Sequence, residues 1–220
     1  MLPSHYKFHT ETFLCTVEGK TEKLYMEWLQ KAINQHGKRT CNTKILASVS
    51  HPSAFIKQLK IIDRTDIYHI IDREQLTQQS IKTFQTKIDE MRKAEKLGKE
   101  VSYRLAYSNM SFELWILLHK TGNPKTVINP EQYKTEINSY FNQKFQKLAE
   151  FKEEKNFRFI LSMLSINDVI SAVKNAELLT NRNAAIHNLQ SYKRTSFYNH
   201  NPSLSVHEFI KIILKKVGII

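Results

Sequence analysis

Residues 15–25, with the sequence CTVEGKTEKLY, join an apolar strand pattern to an amphipathic helix pattern and decide how the first half of the chain folds. Positions 19–21 are Gly-Lys-Thr, the closing half of a nucleotide-binding P-loop. A complete P-loop has the pattern G-x-x-x-x-G-K-[ST], because backbone N–H groups must surround phosphate oxygens. Here Leu14 occupies the first glycine position and Glu18 precedes the second glycine. The segment is therefore either a broken P-loop or a strand end that presents the Glu18 carboxylate.

Strand and helix patterns alternate through the first half of the chain. Short apolar runs predict strands, and apolar residues at helical spacing follow each of them. This alternation predicts an α/β fold with a parallel four-stranded sheet and right-handed crossovers. The predicted strands span residues 12–17, 43–49, 67–71 and 101–107, and the predicted helices begin near residues 21, 52, 81 and 112.

The pattern changes after Gly122-Asn123-Pro124. Helical spacing recurs over residues 130–149, around 166–173 and over 205–217, whereas residues 182–198 show no clear period. We expect an α/β core over residues 1–122 and a mainly helical elaboration over residues 123–220 that packs on it.

Composition limits the class of protein. The chain has 220 residues, of which 41% are hydrophobic and 25% are charged, as in globular proteins. It lacks an apolar run of about 18 residues, the length needed to cross a bilayer, and its first residues lack the apolar core of a signal peptide. We therefore expect a cytoplasmic protein without membrane association.

The chain is strongly basic, with a formal net charge of +12 from 33 Lys and Arg against 21 Asp and Glu. This charge favours an anionic partner, and nucleic acid is the commonest one. The charges are dispersed along the chain, so a general role in solubility is the alternative explanation.

Acidic residues follow two of the predicted strands. Glu18 follows the first strand, and Asp72 and Glu74 follow the third. Functional groups gather at the carboxyl ends of parallel strands, and residues two apart in an extended segment point the same way. Three converging carboxylates need a cation, and Mg²⁺ or Mn²⁺ suits such oxygen ligands. The alternative is a solvated turn at Glu18 and an ordinary loop pair at Asp72 and Glu74.

These features resemble two groups of proteins. A strand ending in Glu-Gly and a later acidic pair are similar to the Toprim domain, the metal-binding fold of topoisomerases, primases and the overcoming-lysogenization-defect nucleases. Residues 17–25, 108–119 (SNMSFELWILLH) and 201–207 (NPSLSVH) resemble the RloB/AbiL family of bacterial abortive-infection proteins. The chain departs from that family at Glu74, where the family usually has Asp, and at Met110, where it usually has Pro.

The residues and the resemblance together lead us to expect a divalent-metal-dependent nuclease that cuts RNA (tRNA, for instance) or DNA. Glu18, Asp72 and Glu74 would hold Mg²⁺ or Mn²⁺, and Lys20 would stabilise the phosphate. The resemblance implies an effector of anti-phage defence that works with a partner ATPase. Two alternatives remain: a nucleotidyl-transfer enzyme, and a non-catalytic sensor or regulatory subunit of the ATPase.

Residues around the fourth strand supply further candidates. Ser108 and Asn109 are candidates for positioning a phosphate or a water, although capping of the following helix by Ser108 or Ser111 is the alternative for the serines. Glu113 is a candidate further ligand. His119 is a candidate acid, base or substrate contact, with a structural role as the alternative.

A second candidate nucleic-acid contact lies at residues 190–200, QSYKRTSFYNH. Lys193 and Arg194 stand among aromatic residues, and such a mixture can bind phosphates and stack on bases. The alternative is an ordinary amphipathic element.

Overall fold

The computed structural model describes residues 8–74 and 77–220, and its centre is a parallel four-stranded sheet. The strand order is β2-β1-β3-β4, and every pairing in this sheet is parallel. The α/β fold class predicted from the sequence is confirmed, and the architecture is consistent with a Toprim-like fold. The strands are β1 Thr10–Val17, β2 Asn42–Val49, β3 Thr65–Arg73 and β4 Val101–Asn109.

The register brings the carboxyl ends of the strands to one edge. Val17 at the end of β1 pairs with Val49 of β2 and with Ile70 of β3. Further along β3, Asp72 pairs with Ser108 of β4. Paired residues present their side chains to the same face of the sheet, so Asp72 and Ser108 lie side by side.

Both faces of the sheet are covered, which explains why its central strands are nearly continuous apolar runs. On β3, Tyr68 and Ile70 pack into the larger core cluster, and Ile67 and Ile71 pack into the smaller one. The larger cluster includes residues of the first and fourth helices, and the smaller includes residues of the second and third. These helices are α1 Lys20–Gln35, α2 Pro52–Gln58, α3 Gln78–Ala94 and α4 Glu113–Leu118.

The second half of the chain adds helices to the larger core cluster and one small hairpin. No helix in the described part of the chain is long and apolar enough to cross a membrane. After a 3₁₀ turn at Pro130–Gln132 the elements are α5 Tyr133–Tyr140, α6 Leu148–Lys152, α7 Glu154–Ser162, α8 Ile166–Ile186, the antiparallel hairpin β5 Gln190–Tyr192 and β6 Thr195–Phe197, and α9 Val206–Lys216.

The helix predicted over residues 130–149 is interrupted. Asn142 has a φ of 51°, in the left-handed region that ends a helix, and the Asn138 side chain bonds both the N–H and the carbonyl of Phe145. These contacts close a loop between α5 and α6. The prediction of one continuous helix there was wrong, because apolar spacing does not reveal a side chain that replaces the helical hydrogen bonds.

Arg73, at the end of β3, is a buried cation that fastens the chain following the hairpin. Its guanidinium donates hydrogen bonds to the carbonyls of Tyr198 and Asn199, and it lies over the rings of Phe84 and Phe197. It also bonds the Asn199 side chain at 2.6 Å. A buried charge is tolerated only with such partners, so Arg73 links the central sheet to the C-terminal part of the chain.

Three buried histidines are held neutral by their surroundings. Burial lowers the pKa of His69, His119 and His207 to about 4. At His119 the Nδ1 atom lies 2.9 Å from the Trp115 carbonyl, and Nε2 lies 3.0 Å from the Tyr25 hydroxyl. A carbonyl only accepts, so we assign the proton to Nδ1 and infer that the Tyr25 hydroxyl donates to Nε2.

Replacing Arg73 with Met should lower the free energy of unfolding by about 2 kcal/mol, because carbonyl partners of the guanidinium lose a charged donor. Urea denaturation measures the change. Arg158→Met is the matched control, since Arg158 is exposed and pairs with the surface carboxylates of Glu27 and Glu154. The control should change stability by about 0.5 kcal/mol or less. Equal effects of the two substitutions would contradict the structural role of Arg73.

His119→Gln should flatten the fall of stability between pH 6.5 and pH 4. An unfolded histidine takes up a proton near pH 6.5, whereas buried His119 resists protonation down to about pH 4. The unfolded state therefore binds more protons than the folded state in this window. The free energy of unfolding consequently falls as the pH is lowered. Denaturation at several pH values measures the slope. His9→Gln, at an exposed position, should leave the slope unchanged, and a wild-type slope in His119→Gln would refute the burial argument.

Candidate metal centre

Glu18 and Asp72 meet at the carboxyl edge of the sheet. The backbone N–H of Asp72 donates a hydrogen bond of 2.9 Å to Oε2 of Glu18. The other Glu18 oxygen, Oε1, forms an ion pair with Lys87 of α3. These contacts exist because β1 and β3 are neighbours in the sheet, as the sequence-based hypothesis required. The side chain of Glu18 is thus fixed between the central strand and the third helix.

Two further carboxylates come from helix starts behind this edge. Glu22 lies in the first turn of α1, and Glu113 is the first residue of α4; both are buried. Glu22 Oε2 and both oxygens of Glu113 have no hydrogen-bond partner among the described residues. A Cβ atom at Gly19 would lie 2.9 Å from Glu22 Oε2, so the glycine leaves room for this carboxylate to turn back toward the strand end.

The carboxylates act on one another electrostatically. Burial raises the pKa of Asp72, and the charges of Glu22, Glu113 and Glu18 raise it further. Burial and the same kind of repulsion, from Glu113 and Glu18, raise the pKa of Glu22 to about 7. Buried like charges disfavour ionisation of each other. The four residues therefore form one electrostatic unit, which we call the acidic cluster.

One lysine from the C-terminal half enters this cluster. The Nζ atom of Lys152, the last residue of α6, lies 3.1 Å from Oε1 of Glu113. Burial alone would lower the pKa of Lys152, but attraction by Glu113, Asp72 and Glu22 outweighs it and raises the pKa. Lys152 is thus a counter-ion for several carboxylates at once.

The acidic cluster has the ligand atoms that a hard divalent cation prefers, but its carboxylates are not positioned to bind one ion together. Among residues 8–74 and 77–220, no three Asp, Glu, His or Cys side chains stand where they would together hold an ion. The donors are nevertheless carboxylate oxygens, the ligands that Mg²⁺ and Mn²⁺ prefer, and several are buried without a partner. The hydroxyl of Ser108, beside Asp72, is also buried without a partner in the described ranges.

Glu74 and Lys20, two further residues predicted for the site, are both exposed. β3 ends at Arg73, so Glu74 follows the strand and its side chain is exposed. Lys20 is exposed as well, and its Nζ atom lies 2.5 Å from Oε2 of Glu154 at the start of α7. The structure brings Glu18 and Asp72 into contact, and Glu74 forms no hydrogen bond or ion pair with either of them among the described residues.

Asn109 bonds the chain rather than facing the cluster. Its Nδ2 atom donates to backbone carbonyls of residues 198–200, with 2.6 Å to His200. Ser111 does not cap α4, because the N-cap residue is Phe112. The Ser111 hydroxyl has no hydrogen-bond partner in the described chain. Both ring nitrogens of His119 are hydrogen-bonded, to the Trp115 carbonyl and the Tyr25 hydroxyl. This is the structural role that the sequence left as an alternative.

Lys193 and Arg194 form the turn of the β5–β6 hairpin, both with left-handed φ values of 43° and 63°. Lys193 lies 2.6 Å from Asp89, and Arg194 lies 2.7 Å from Glu95. Glu95 also accepts a hydrogen bond from the N–H of Tyr103, near the start of β4. Lys193 is therefore paired with α3, and Arg194 is paired with the residue directly after α3, beside the start of β4.

A pocket of about 280 Å³ opens beside Glu18 on the side of α3. Lys87 and His51 contribute to its wall, and His51 Nδ1 lies 3.1 Å from Glu90 Oε2. The hydrophobic part of the lining comes from Val17 and Val49 at the strand ends. Glu18 consequently borders both the acidic cluster and an open pocket.

Sequence reasoning did not single out Glu22, Lys87 or Lys152. Glu22 had a local signal, because it stands one helical turn after Glu18 at a predicted helix start. Lys87 and Lys152 had no local signal, because they are far from Glu18 in sequence and only the tertiary fold brings them to the acidic cluster.

Comparison with known proteins identifies one family. A family model described as RloB-like protein matches residues 13–213. No curated protein and no solved structure matches the chain. The matched range contains the whole acidic cluster and the four strands of the sheet, except the first three residues of β1. The chain belongs to the RloB-like protein family.

Proposed function

We propose that this protein is a nuclease that hydrolyses phosphodiester bonds of nucleic acid with the help of Mg²⁺ or Mn²⁺. Glu18, Glu22, Asp72 and Glu113 would hold the ion. The observation that supports this most is a group of four carboxylates at the carboxyl edge of a parallel sheet, of which Glu22 and Glu113 are buried and have oxygens without a hydrogen bond among the described residues. Such an arrangement is unfavourable unless protons or cations compensate the charge.

In this proposal the ion supplies a polarised water and stabilises charge on the phosphate. The residues of the chain do the positioning. The Asp72 N–H fixes Glu18, so that the carboxylate keeps one orientation at the strand end. Lys87 neutralises the outer oxygen of Glu18 and faces the pocket, where it can also attract a phosphate.

The pocket beside Glu18 has room for one small group of a substrate. Its volume of about 280 Å³ lies near the lower end of the range for ligand sites. Lys87 and His51 offer donors, and Val17 and Val49 offer an apolar wall. We propose that one nucleotide next to the scissile phosphate lies here, while the overall charge of +12 attracts the remaining backbone.

The biological setting follows from the resemblance. We propose that the protein acts in the cytoplasm as an effector of bacterial anti-phage defence, with a partner ATPase. The chain's own Gly-Lys-Thr lacks the first glycine of a P-loop, which agrees with nucleotide hydrolysis by a separate protein. RNA, including tRNA, and DNA both remain candidate substrates.

One observation favours a second candidate. Within the described ranges the carboxylates are not arranged to hold an ion together. A non-catalytic Toprim-like module that senses phage or regulates the ATPase would need no such arrangement. Nucleotidyl transfer, the other enzymatic alternative, would appear as incorporation of nucleotides into a primer.

Incubation of the protein with total RNA and with plasmid DNA should give cleavage in Mn²⁺ or Mg²⁺ and none in EDTA. Glu18→Gln should reduce the rate by about a hundredfold or more, because a charged group at the reacting centre is lost. Glu27→Gln is the matched control, as Glu27 is an exposed residue of α1 that pairs with Lys23 and Arg158. End mapping of the products identifies the bond that is cut.

The same assay ranks the carboxylates. Asp72→Asn and Glu113→Gln should impair cleavage as strongly as Glu18→Gln, whereas Glu74→Gln should stay within about tenfold of the wild type, as expected for a group outside the metal's immediate surroundings. Metal-independent cleavage, or full activity of Glu18→Gln, would refute the proposed function. Primer extension without cleavage would select nucleotidyl transfer.

A further inference from the structure

We propose that Lys152 is a built-in counter-ion that gives way to the metal and then contacts the scissile phosphate. This inference rests on the proposed function in its second part only. The exchange of lysine for metal concerns binding and holds for a catalytic or a non-catalytic protein.

The position of Lys152 suits an exchangeable cation. Its side chain is 42% exposed, whereas that of its partner Glu113 is 1% exposed. The ammonium thus reaches from the surface to a buried anion, as a long flexible side chain can do. Both Glu113 oxygens lack a well-aligned hydrogen bond in the described chain, so the contact is an ion pair that another cation can replace.

Charge explains why replacement is favourable. Lys152 is attracted by Glu113, Asp72 and Glu22, and a single positive charge cannot neutralise all three. A divalent ion brings twice the charge and binds several oxygens at once. Two cations on the same carboxylate repel each other, so Lys152 leaves Glu113 when Glu113 ligates the ion.

The released side chain would stay at the site, because its helix is anchored independently. Leu148 and Phe151 of α6 are buried in the core. The following helix α7 is joined to α1 by the pairs Lys20–Glu154 and Arg158–Glu27. Opening the Lys152–Glu113 pair therefore frees one flexible side chain and not the segment that bears it.

A free lysine ammonium at the mouth of the acidic cluster would meet the phosphate of the substrate. In hydrolysis the water oxygen attacks phosphorus and loses a proton to solvent, while the bond from phosphorus to the leaving oxygen breaks and that oxygen takes up a proton from solvent. Lys152 keeps its protons throughout and compensates the charge on a non-bridging oxygen. Its role is electrostatic, which a lysine fulfils as a point charge with three donors.

Isothermal titration calorimetry with Mn²⁺ tests the exchange without any substrate. Lys152→Met should bind Mn²⁺ about tenfold more tightly than the wild type, since the competing positive charge is gone. The same variant should melt at a lower temperature in EDTA, because the cluster loses its counter-ion. Lys155→Met, at an exposed position of the next helix, should change neither value.

Cleavage at saturating Mn²⁺ tests the phosphate contact. Lys152→Met should lower kcat by about a hundredfold, although its metal site is better filled. Lys152→Arg, which keeps the charge, should retain most of kcat and bind Mn²⁺ as the wild type does. Tighter metal binding together with slower cleavage is a combination that a merely structural lysine does not give.

Each other result decides one part of the inference. Unchanged or weaker Mn²⁺ binding in Lys152→Met would overturn the exchange. Tighter binding with wild-type kcat would overturn the phosphate contact and leave Lys152 as a counter-ion only. Tighter binding in a protein whose wild type cuts neither RNA nor DNA would confirm the exchange and refute the proposed nuclease.

Discussion

Negative charge held close together at the end of the sheet is the constraint on which the rest of this structure depends. The parallel register places Asp72 beside Ser108 and within a backbone hydrogen bond of Glu18. Two helix starts then add Glu22 and Glu113 behind them, in surroundings that exclude most water. Such a group is stable only when protons or cations offset it. Lys87 and Lys152 supply positive charge from opposite sides of the acidic cluster.

The C-terminal half contributes positive charge to the acidic cluster and ion pairs to the helix that begins beside it. Its helix α6 delivers Lys152 to Glu113, and its helix α7 pairs with α1 through Lys20 and Glu154. On the other side of the sheet, Arg73 and Asn109 bind the chain that follows the hairpin. The two halves share one core, so the acidic edge is shaped by both.

The core fold could be predicted from the sequence because its signals are local. Apolar runs in β1 to β4 and helical spacing between them predict the parallel sheet. Adjacency of β1 and β3 was the condition for Glu18 and Asp72 to form one site, and the strand order meets it. The alternation of side chains along an extended segment also predicted that Glu74 points with Asp72. The strand ends at Arg73, however, so that rule does not extend to Glu74.

The missing parts depend on contacts that no local pattern encodes. The break after α5 needs the side chain of Asn138, and the hairpin needs Lys193 and Arg194 in left-handed conformations that sequence pattern rarely predicts for such residues. The cations of that hairpin are paired with Asp89 and Glu95, so basic residues among aromatics did not by themselves indicate a free nucleic-acid surface. Lys152 became part of the site only through packing of α6.

Anomalous diffraction from a crystal of the protein soaked in Mn²⁺ tests the central claim most directly, because it locates the ion without requiring a substrate. The account predicts a manganese peak bounded by Asp72 and by carboxylates of Glu18, Glu22 and Glu113, with Lys152 displaced from Glu113. A fully soaked crystal with no peak there, and with Lys152 still paired to Glu113, would contradict it.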